Sequence, residues 1–257
     1  MKTRTDPDAE SIYLRSARDR LHDALGPGLV GVYAGGSWAL GDYLPGRSDL
    51  DLAVVVDRPV SKARAAAVVS RLRHESLPCP ARLLELVAYL DETARSGSAT
   101  ADFELNVNTG ARVPLAVQSR DSPGEVAHHW FPIDRSVLSQ AGVALLGPPA
   151  AEVFAPIPRA ELLPVVADSV AWQRRHGGSG DAVLNACRAL RYANEGRWAS
   201  KPAAGRWAAE RALAPTGLVT QALQARTEGT ALDLVGAASF LRSVEAHLRA
   251  SVDLRGL

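Results

Sequence analysis

The chain has 257 residues, of which 47% are hydrophobic and 22% are charged, and its formal net charge is +1. This length and apolar content suffice for one large core or two smaller ones. A net charge near zero gives no strong overall field toward nucleic acid or a membrane surface, so we expect neither as a partner. Any charged ligand must be bound by local charges.

Cysteine content and the start of the chain indicate an intracellular protein. Cys79 and Cys187 are too few for a disulfide framework or a cysteine-based zinc site. The N-terminal residues lack the apolar segment of a signal peptide, and no run approaches the roughly 18 apolar residues of a membrane span. We therefore expect a cytoplasmic protein. As a separate expectation, the protein is a monomer.

In the first 155 residues, apolar runs of strand length alternate with helical patterns. This alternation predicts an α/β (α+β) domain with a mixed β-sheet over residues 1–155. The predicted elements are a helix from about Asp8 to Leu25, strands over 29–34 and from Asp49 through 56, a helix over 61–77, a strand around Glu85 and an apolar run over 103–108.

The pattern changes between Pro148 and Pro158, after which the signals are helical. Residues 156–257 are therefore predicted to form an all-α helical-bundle domain. The first predicted helix begins at about Ala160, tolerates Pro164 only in its first turn and ends before Gly177-Gly178. Asp181 is the predicted N-cap of the second helix. Ser200 with Pro202 begins the third helix, which Pro215 ends, and residues 230–233 begin the last.

A glycine-serine turn followed by a pair of acids is the most informative motif. Ten residues separate Gly36-Ser37 from the segment 48–51, Ser-Asp-Leu-Asp. Residues i and i+2 of a strand point to the same side, so Asp49 and Asp51 are predicted to converge. Two such carboxylates suit Mg²⁺, and the turn N–H groups with the Ser37 hydroxyl can hold phosphate oxygens. An acidic pair at a strand start also occurs on solvated edges, and the motif alone leaves that alternative open.

A third acid, Glu85, follows Asp51 in the strand-like run 82–90. A lone acid among apolar neighbours is costly to bury unless it is paired or lies near a metal. The alternative is an exposed edge strand, where the charge only discourages pairing with another chain. Glu104, in the run 103–108, is a competing candidate for the third acid.

These residues resemble the polymerase-β-like nucleotidyltransferases, whose pattern is a Gly-Ser turn, an Asp-x-Asp strand and a later acid on a neighbouring strand. Later segments narrow the resemblance to the aminoglycoside 3''-adenylyltransferase family, the streptomycin and spectinomycin adenylyltransferases. Glu85 matches the third acid of the pattern better than Glu104, because it lies in Leu-Glu-Leu on a strand after the acidic pair. The resemblance covers most of the chain, and the later segments are 146–154, Pro158-Arg159, 181–188 and 200–208.

The resemblance implies a Mg²⁺-dependent adenylyltransferase that moves AMP from ATP to a hydroxyl group of a small molecule. Asp49 and Asp51 would hold Mg²⁺ against the ATP phosphates, and pyrophosphate would leave in line from the α-phosphorus. Glu85 would take a proton from the attacking hydroxyl.

The resemblance also implies a set of phosphate-binding residues. Gly36, Ser37 and Ser48 would help to bind the triphosphate. Arg188 and Lys201 would reach the ATP phosphates, because an arginine fork and a lysine charge stabilise the negative charge that Mg²⁺ leaves uncompensated. Helix arginines are most often solvated, so Arg188 and Lys201 depend mainly on the family match.

The resemblance implies a small hydroxylated acceptor. The first hypothesis is an aminoglycoside or aminocyclitol antibiotic such as spectinomycin, whose modification would confer antibiotic resistance. Trp172 matches a substrate-binding tryptophan of streptomycin-accepting members. Their neighbouring aspartate has no counterpart in the basic loop 174–180, which would repel a polycationic aminoglycoside such as streptomycin. The alternatives are a metabolite or protein acceptor, or a non-catalytic nucleotide-binding or antitoxin-like module.

Overall fold

The computed structural model describes residues 8–122 and 128–253. Within these ranges the chain forms two compact units, one of residues 8–122 and 134–156 and the other of residues 128–133 and 157–253. This division differs from the boundary expected at residues 155/156 in the placement of residue 156 and of the segment 128–133. None of the helices in the described ranges has the length and apolar character that a membrane span requires.

The centre of the first unit is a mixed sheet, as predicted, and it has six strands. The strands are β1 (Leu29–Ala34), β2 (Leu50–Val56), β3 (Leu84–Leu90), β4 (Leu105–Gly110), β5 (Val113–Ser119) and β6 (Val143–Leu146). Of these, β5 and β6 were not predicted. Their spatial order is β5-β4-β3-β2-β1-β6. Strands β2 and β3 are parallel, and the other neighbours are antiparallel.

Strand β2 lies inside the sheet and fixes the acids at its start on rigid backbone. Its residues from Leu52 to Val56 are buried, as expected for an apolar strand covered on both faces. Strand β3 runs beside it in a register that pairs Leu50 with Leu84 and Asp51 with Glu85. Strand pairing therefore brings together two acids that are far apart in the sequence.

Helices cover this sheet, and their ends follow local capping chemistry. The first unit contains α1 (Ala9–Leu25), α2 (Gly36–Ala39), α3 (Lys62–Leu72), α4 (Asp91–Arg95), most of α5 (Trp130–Ala141) and α6 (Ala150–Val153). Asp8 caps α1 by accepting a hydrogen bond from the Ser11 N–H at 2.7 Å. The expectation that α3 continues to residue 77 is wrong, because Arg73 turns to an extended conformation and the His74 N–H is bound by Thr109.

The second unit is helical, as predicted. Its helices are α7 (Arg159–Arg175), α8 (Gly180–Glu195), α9 (Lys201–Glu210), α10 (Thr216–Glu228) and α11 (Leu234–Asp253). Helix α7 packs on α8 and α11, and α8 also packs on α9 and α10. The buried side chains along α8, among them Val183, Leu184 and Cys187, form the centre of this core.

Two local predictions for the second unit need correction. Ser179 caps α8 by accepting from the Ala182 N–H, so Asp181 lies in the first turn and its side chain is available for other partners. Helix α7 begins at Arg159, which places Pro164 in the second turn, where the helix forgoes one backbone donor. Ser200 does cap α9, accepting from the Ala203 N–H at 3.3 Å, as predicted.

Candidate active site

The turn after β1 approaches the carboxylate of Asp51 closely. The Gly35 N–H donates to the Asp51 carbonyl at 2.9 Å. Gly36 has a φ of +53°, and a β-carbon at this position would overlap Oδ2 of Asp51. Glycine is therefore required at residue 36 both by the backbone conformation and by the adjacent carboxylate. Ser37 follows in the short helix α2 and is partly exposed.

Asp51 and Glu85 form a carboxyl pair on the parallel strands β2 and β3. Burial raises the pKa of Glu85 well above its usual value, and the charges of Asp51, Asp49 and Asp134 raise it further. A hydrogen bond that the protonated Glu85 carboxyl group donates to Asp51 acts in the same direction. Two carboxyl groups can share a hydrogen bond only when one of them carries a proton, so this contact and the burial both favour the protonated form of Glu85.

Asp49 lies one residue before β2, and its carboxylate is bound by an arginine. The Arg82 side chain donates from Nε to Oδ1 of Asp49 at 2.8 Å and from Nη2 to Oδ2 at 2.5 Å. The expectation that Asp49 lies within the strand is therefore wrong, because the strand begins at Leu50 and the guanidinium orients the preceding acid. The Arg82 side chain is 56% exposed, which leaves this ion pair open to exchange with another cation.

The donor atoms of this region fit Mg²⁺, although the carboxylates are not arranged around a common point. Within residues 8–122 and 128–253, no three His, Cys, Asp or Glu side chains form a metal-binding group. The Asp51 carboxylate nevertheless supplies hard oxygen ligands of the kind that Mg²⁺ prefers, and a bound divalent cation would favour the charged forms of both Asp51 and Glu85. Asp49 could join as a ligand once Arg82 releases it.

Ser48 and Glu104 are held by structural contacts. The Ser48 hydroxyl accepts from the Leu44 N–H at 3.0 Å and is buried, so it fastens the loop before β2. Glu104 accepts from the Val60 N–H at 2.9 Å and from Arg120 at 3.0 Å. The structure brings Glu85, rather than Glu104, next to Asp51.

Asp134 is an acid near this pair that the sequence did not indicate. It is exposed on α5, and its charge contributes to the raised pKa of Glu85. Leu138, one helical turn later on the same face, packs against Gly35, which places this face of α5 beside the glycine turn. An acid one turn before a buried leucine was the available signal.

The second unit contains a cluster of cations around Asp181. Lys201 contacts Oδ1 of Asp181 at 3.2 Å, and Arg226 donates to the same oxygen at 3.0 Å. Burial lowers the pKa of Lys201, and nearby Arg226 and Arg188 lower it further, whereas Asp181 opposes the shift. The two cations that the family resemblance singled out thus lie in one cluster, to which the structure adds Arg226 and Asp181.

Polar and aromatic contacts orient Arg188 within this cluster. Its guanidinium lies 5.5 Å from the ring centre of Trp198 and donates to Oδ1 of Asn185 at 3.4 Å. Asn185 in turn donates to Gln173 at 3.1 Å, and Gln173 is buried. Trp198 stacks on Tyr192 with ring centres 4.3 Å apart. Such contacts restrict the side chain to few conformations before any ligand binds.

Trp172 belongs to an aromatic cluster in the second unit. Its ring centre lies 5.8 Å from those of His129 and Trp130, and His176 stacks on it at 4.1 Å. Burial lowers the pKa of His129 to about 4, and Arg175 and His128 act in the same direction against Asp168. The His129 ring is therefore neutral at physiological pH.

Comparisons with known proteins agree with this architecture. The family model described as aminoglycoside adenylyltransferase, C-terminal domain, matches residues 152–251, and the model described as nucleotidyltransferase domain matches residues 14–100. The fold is similar to that of the spectinomycin adenyltransferase AAD(9) from Enterococcus faecialis, solved with ATP and spectinomycin, at 16% identity and a TM-score of 0.67. That match covers 93% of this chain and 98% of the other. No curated protein shows significant sequence similarity to the chain.

Proposed function

The chain belongs to the aminoglycoside adenylyltransferase family, and we propose that it transfers AMP from ATP to a hydroxyl group of an aminocyclitol such as spectinomycin. The observation that carries this proposal is the Asp51-Glu85 carboxyl pair in register on β2 and β3, directly beside the glycine turn at Gly36. A nucleotidyltransferase needs such acids on rigid strands next to backbone N–H groups that can hold phosphate oxygens.

In this mechanism Glu85 accepts the proton of the acceptor hydroxyl. The hydroxyl oxygen forms a bond to the α-phosphorus of ATP, and the bond to the leaving pyrophosphate breaks. The raised pKa of Glu85 supports this role, because a general base works best when its pKa approaches the working pH. Mg²⁺, held by Asp51 and Asp49, would supply positive charge that neutralises the phosphates.

The triphosphate is proposed to bind main-chain N–H groups and cations. Gly36 and Ser37 are the first two residues of α2, and the first N–H groups of a helix have no acceptor within it. The buried Ser48 keeps the following loop in place. Arg188 and Lys201 supply positive charge from partly buried positions, where an ion pair with phosphate is stronger than in water.

The charge around the pair supports a cationic acceptor. Asp134 adds a third carboxylate near Asp51 and Glu85, and carboxylates favour the protonated amines of an aminocyclitol. The exposed Arg175 near Trp172 disfavours the more highly charged streptomycin, whereas Arg174 is paired with Glu245. We propose that the protein acts as a monomer in the cytoplasm, where ATP and Mg²⁺ are available. We also propose that it confers antibiotic resistance.

An acceptor panel tests this function. The wild type and Asp51→Asn are incubated with Mg-ATP and spectinomycin, streptomycin, a neutral cyclitol or no acceptor. We expect the wild type to release pyrophosphate only with an amine-bearing cyclitol and to produce an AMP adduct by mass, and Asp51→Asn to do neither. AMP attached to the neutral cyclitol or to a protein would replace the proposed acceptor. ATP binding with no transfer to any of them would indicate a non-catalytic module.

A further inference from the structure

We propose that Arg226 is a third phosphate-binding cation of the Arg188-Lys201 cluster, and that Asp181 positions Arg226 beside Lys201. This inference rests on the proposed function, because it assigns the cluster to the triphosphate of ATP. The family resemblance implied only Arg188 and Lys201. Arg226 and Asp181 come from the structure.

Three helices converge on one carboxylate oxygen. Oδ1 of Asp181, on α8, accepts from Arg226 on α10 at 3.0 Å and contacts Nζ of Lys201 on α9 at 3.2 Å. Nη1 of Arg226 and Nζ of Lys201 both contact this one oxygen atom, so the two cationic groups are close neighbours. Asp181 is free to make both contacts because Ser179, and not Asp181, caps α8.

Such a concentration of like charge is costly in a buried setting. The Arg226 side chain is 7% exposed and the Lys201 side chain is 22% exposed. Both Arg226 and Arg188 disfavour the charged form of Lys201, so the three groups act on one another electrostatically. Cations that repel one another at short range are stabilised by an anion of high charge, and the triphosphate is the anion that the proposed reaction requires.

Arginine suits this role better than lysine. A guanidinium can bind phosphate oxygens through two parallel N–H groups, whereas a lysine acts as a point charge, and Nη1 of Arg226 is held on Asp181. The contact with Asp181 holds the side chain ready before the nucleotide binds, which reduces the entropy lost on binding. Asp181 is a positioning residue in this arrangement, and Arg226 is a binding residue.

Calorimetric titration of Mg-ATP and of AMP tests the assignment of Arg226. The variants are Arg226→Gln and Arg226→Lys, with Arg191→Gln as a matched control on α8, where Arg191 pairs with Glu195 at 2.9 Å. We expect Arg226→Gln to weaken Mg-ATP about 10- to 100-fold, with a much smaller effect on AMP, which lacks the outer phosphates. The control should keep wild-type affinity for both nucleotides.

Asp181→Ala distinguishes positioning from simple charge. Removing a negative charge next to two cations should tighten Mg-ATP binding if Asp181 acts only as a counter-ion. If Asp181 positions Arg226, the variant should instead weaken Mg-ATP about 2- to 10-fold. Tighter binding by Asp181→Ala would overturn the positioning role.

Each result separates this inference from the proposed function. If the wild type does not bind Mg-ATP, the proposed function is contradicted. If the wild type binds Mg-ATP and Arg226→Gln binds it equally well, only the role of Arg226 is contradicted. Thermal melts establish that each variant is folded. If Arg226→Gln does not fold, Arg226→Lys decides, because it keeps the charge beside Asp181 and loses the fork. Its unchanged affinity would then overturn the assignment.

Discussion

Replacing Gly36 by alanine tests whether the site depends on the close approach between the glycine turn and Asp51. The new β-carbon would overlap Oδ2 and the carboxyl carbon of Asp51 and lie 3.1 Å from its Cβ. The carboxylate would have to move by roughly 1.5 to 2 Å to restore ordinary contact, and a displacement of even about 1 Å can cost roughly 100-fold in rate. We therefore expect kcat to fall about 100-fold.

Two other glycines separate the displaced carboxylate from backbone strain. Gly41 and Gly46 also have positive φ, at +72° and +71°, but a β-carbon there meets no atom within 4 Å. Alanine at any of the three positions pays roughly 1–2 kcal/mol for the left-handed conformation. Urea unfolding should show losses of at least this size in all three variants, whereas pyrophosphate release should collapse only in Gly36→Ala. If Gly36→Ala retains the rate of the Gly41→Ala and Gly46→Ala variants, the turn does not position Asp51 for chemistry.

Glu104→Gln should lower the free energy of unfolding by about 1–3 kcal/mol in urea titrations, because it weakens the contacts of Glu104 with Arg120 and with the Val60 N–H. Its turnover should equal that of the wild type. Asn185→Ala should weaken Mg-ATP binding about 2- to 10-fold by calorimetry, because Arg188 loses the acceptor that orients it, and equal affinity would contradict that role. Burial holds the pKa of His129 at about 4 in the folded protein against an ordinary value of 6.5, so the unfolded state binds more protons as the pH falls. The free energy of unfolding of the wild type should therefore drop by about 1 to 3 kcal/mol as the pH falls from 6.5 to 4, and that of His129→Phe should drop less. A Gln variant at the exposed His22 is the control and should behave like the wild type.

Strand periodicity and the family pattern predicted the part of the site that local backbone geometry determines. Asp51 lies on a strand after a glycine turn, and Glu85 lies on the neighbouring strand. Both strands were predictable because each is an apolar run with a single acid, and such an acid must face a polar site. The alternative that Glu85 lies on an exposed edge strand does not agree with the sheet, where β3 is flanked by β2 and β4.

The remaining features depend on contacts between segments that are distant in the sequence. The Arg82-Asp49 ion pair joins residues 33 positions apart, and the Arg226-Asp181 pair joins residues 45 positions apart. Neither pair has a periodic signal, because the side chains meet only after strands and helices have packed. Asp181 was also misassigned for a local reason, since Ser179 and Asp181 are both competent N-caps and the structure uses the serine.

The most direct test of the account compares Mg-ATP affinity with turnover in Glu85→Gln, with Glu104→Gln as the matched control. Glu85→Gln preserves the size of the side chain and removes its ability to accept the hydroxyl proton. We predict Mg-ATP affinity close to that of the wild type by calorimetry and turnover with spectinomycin lowered by roughly 10²- to 10⁴-fold, while Glu104→Gln retains turnover. Wild-type turnover in Glu85→Gln, or a loss of turnover confined to Glu104→Gln, would contradict the assignment of Glu85 as the base of adenylyl transfer.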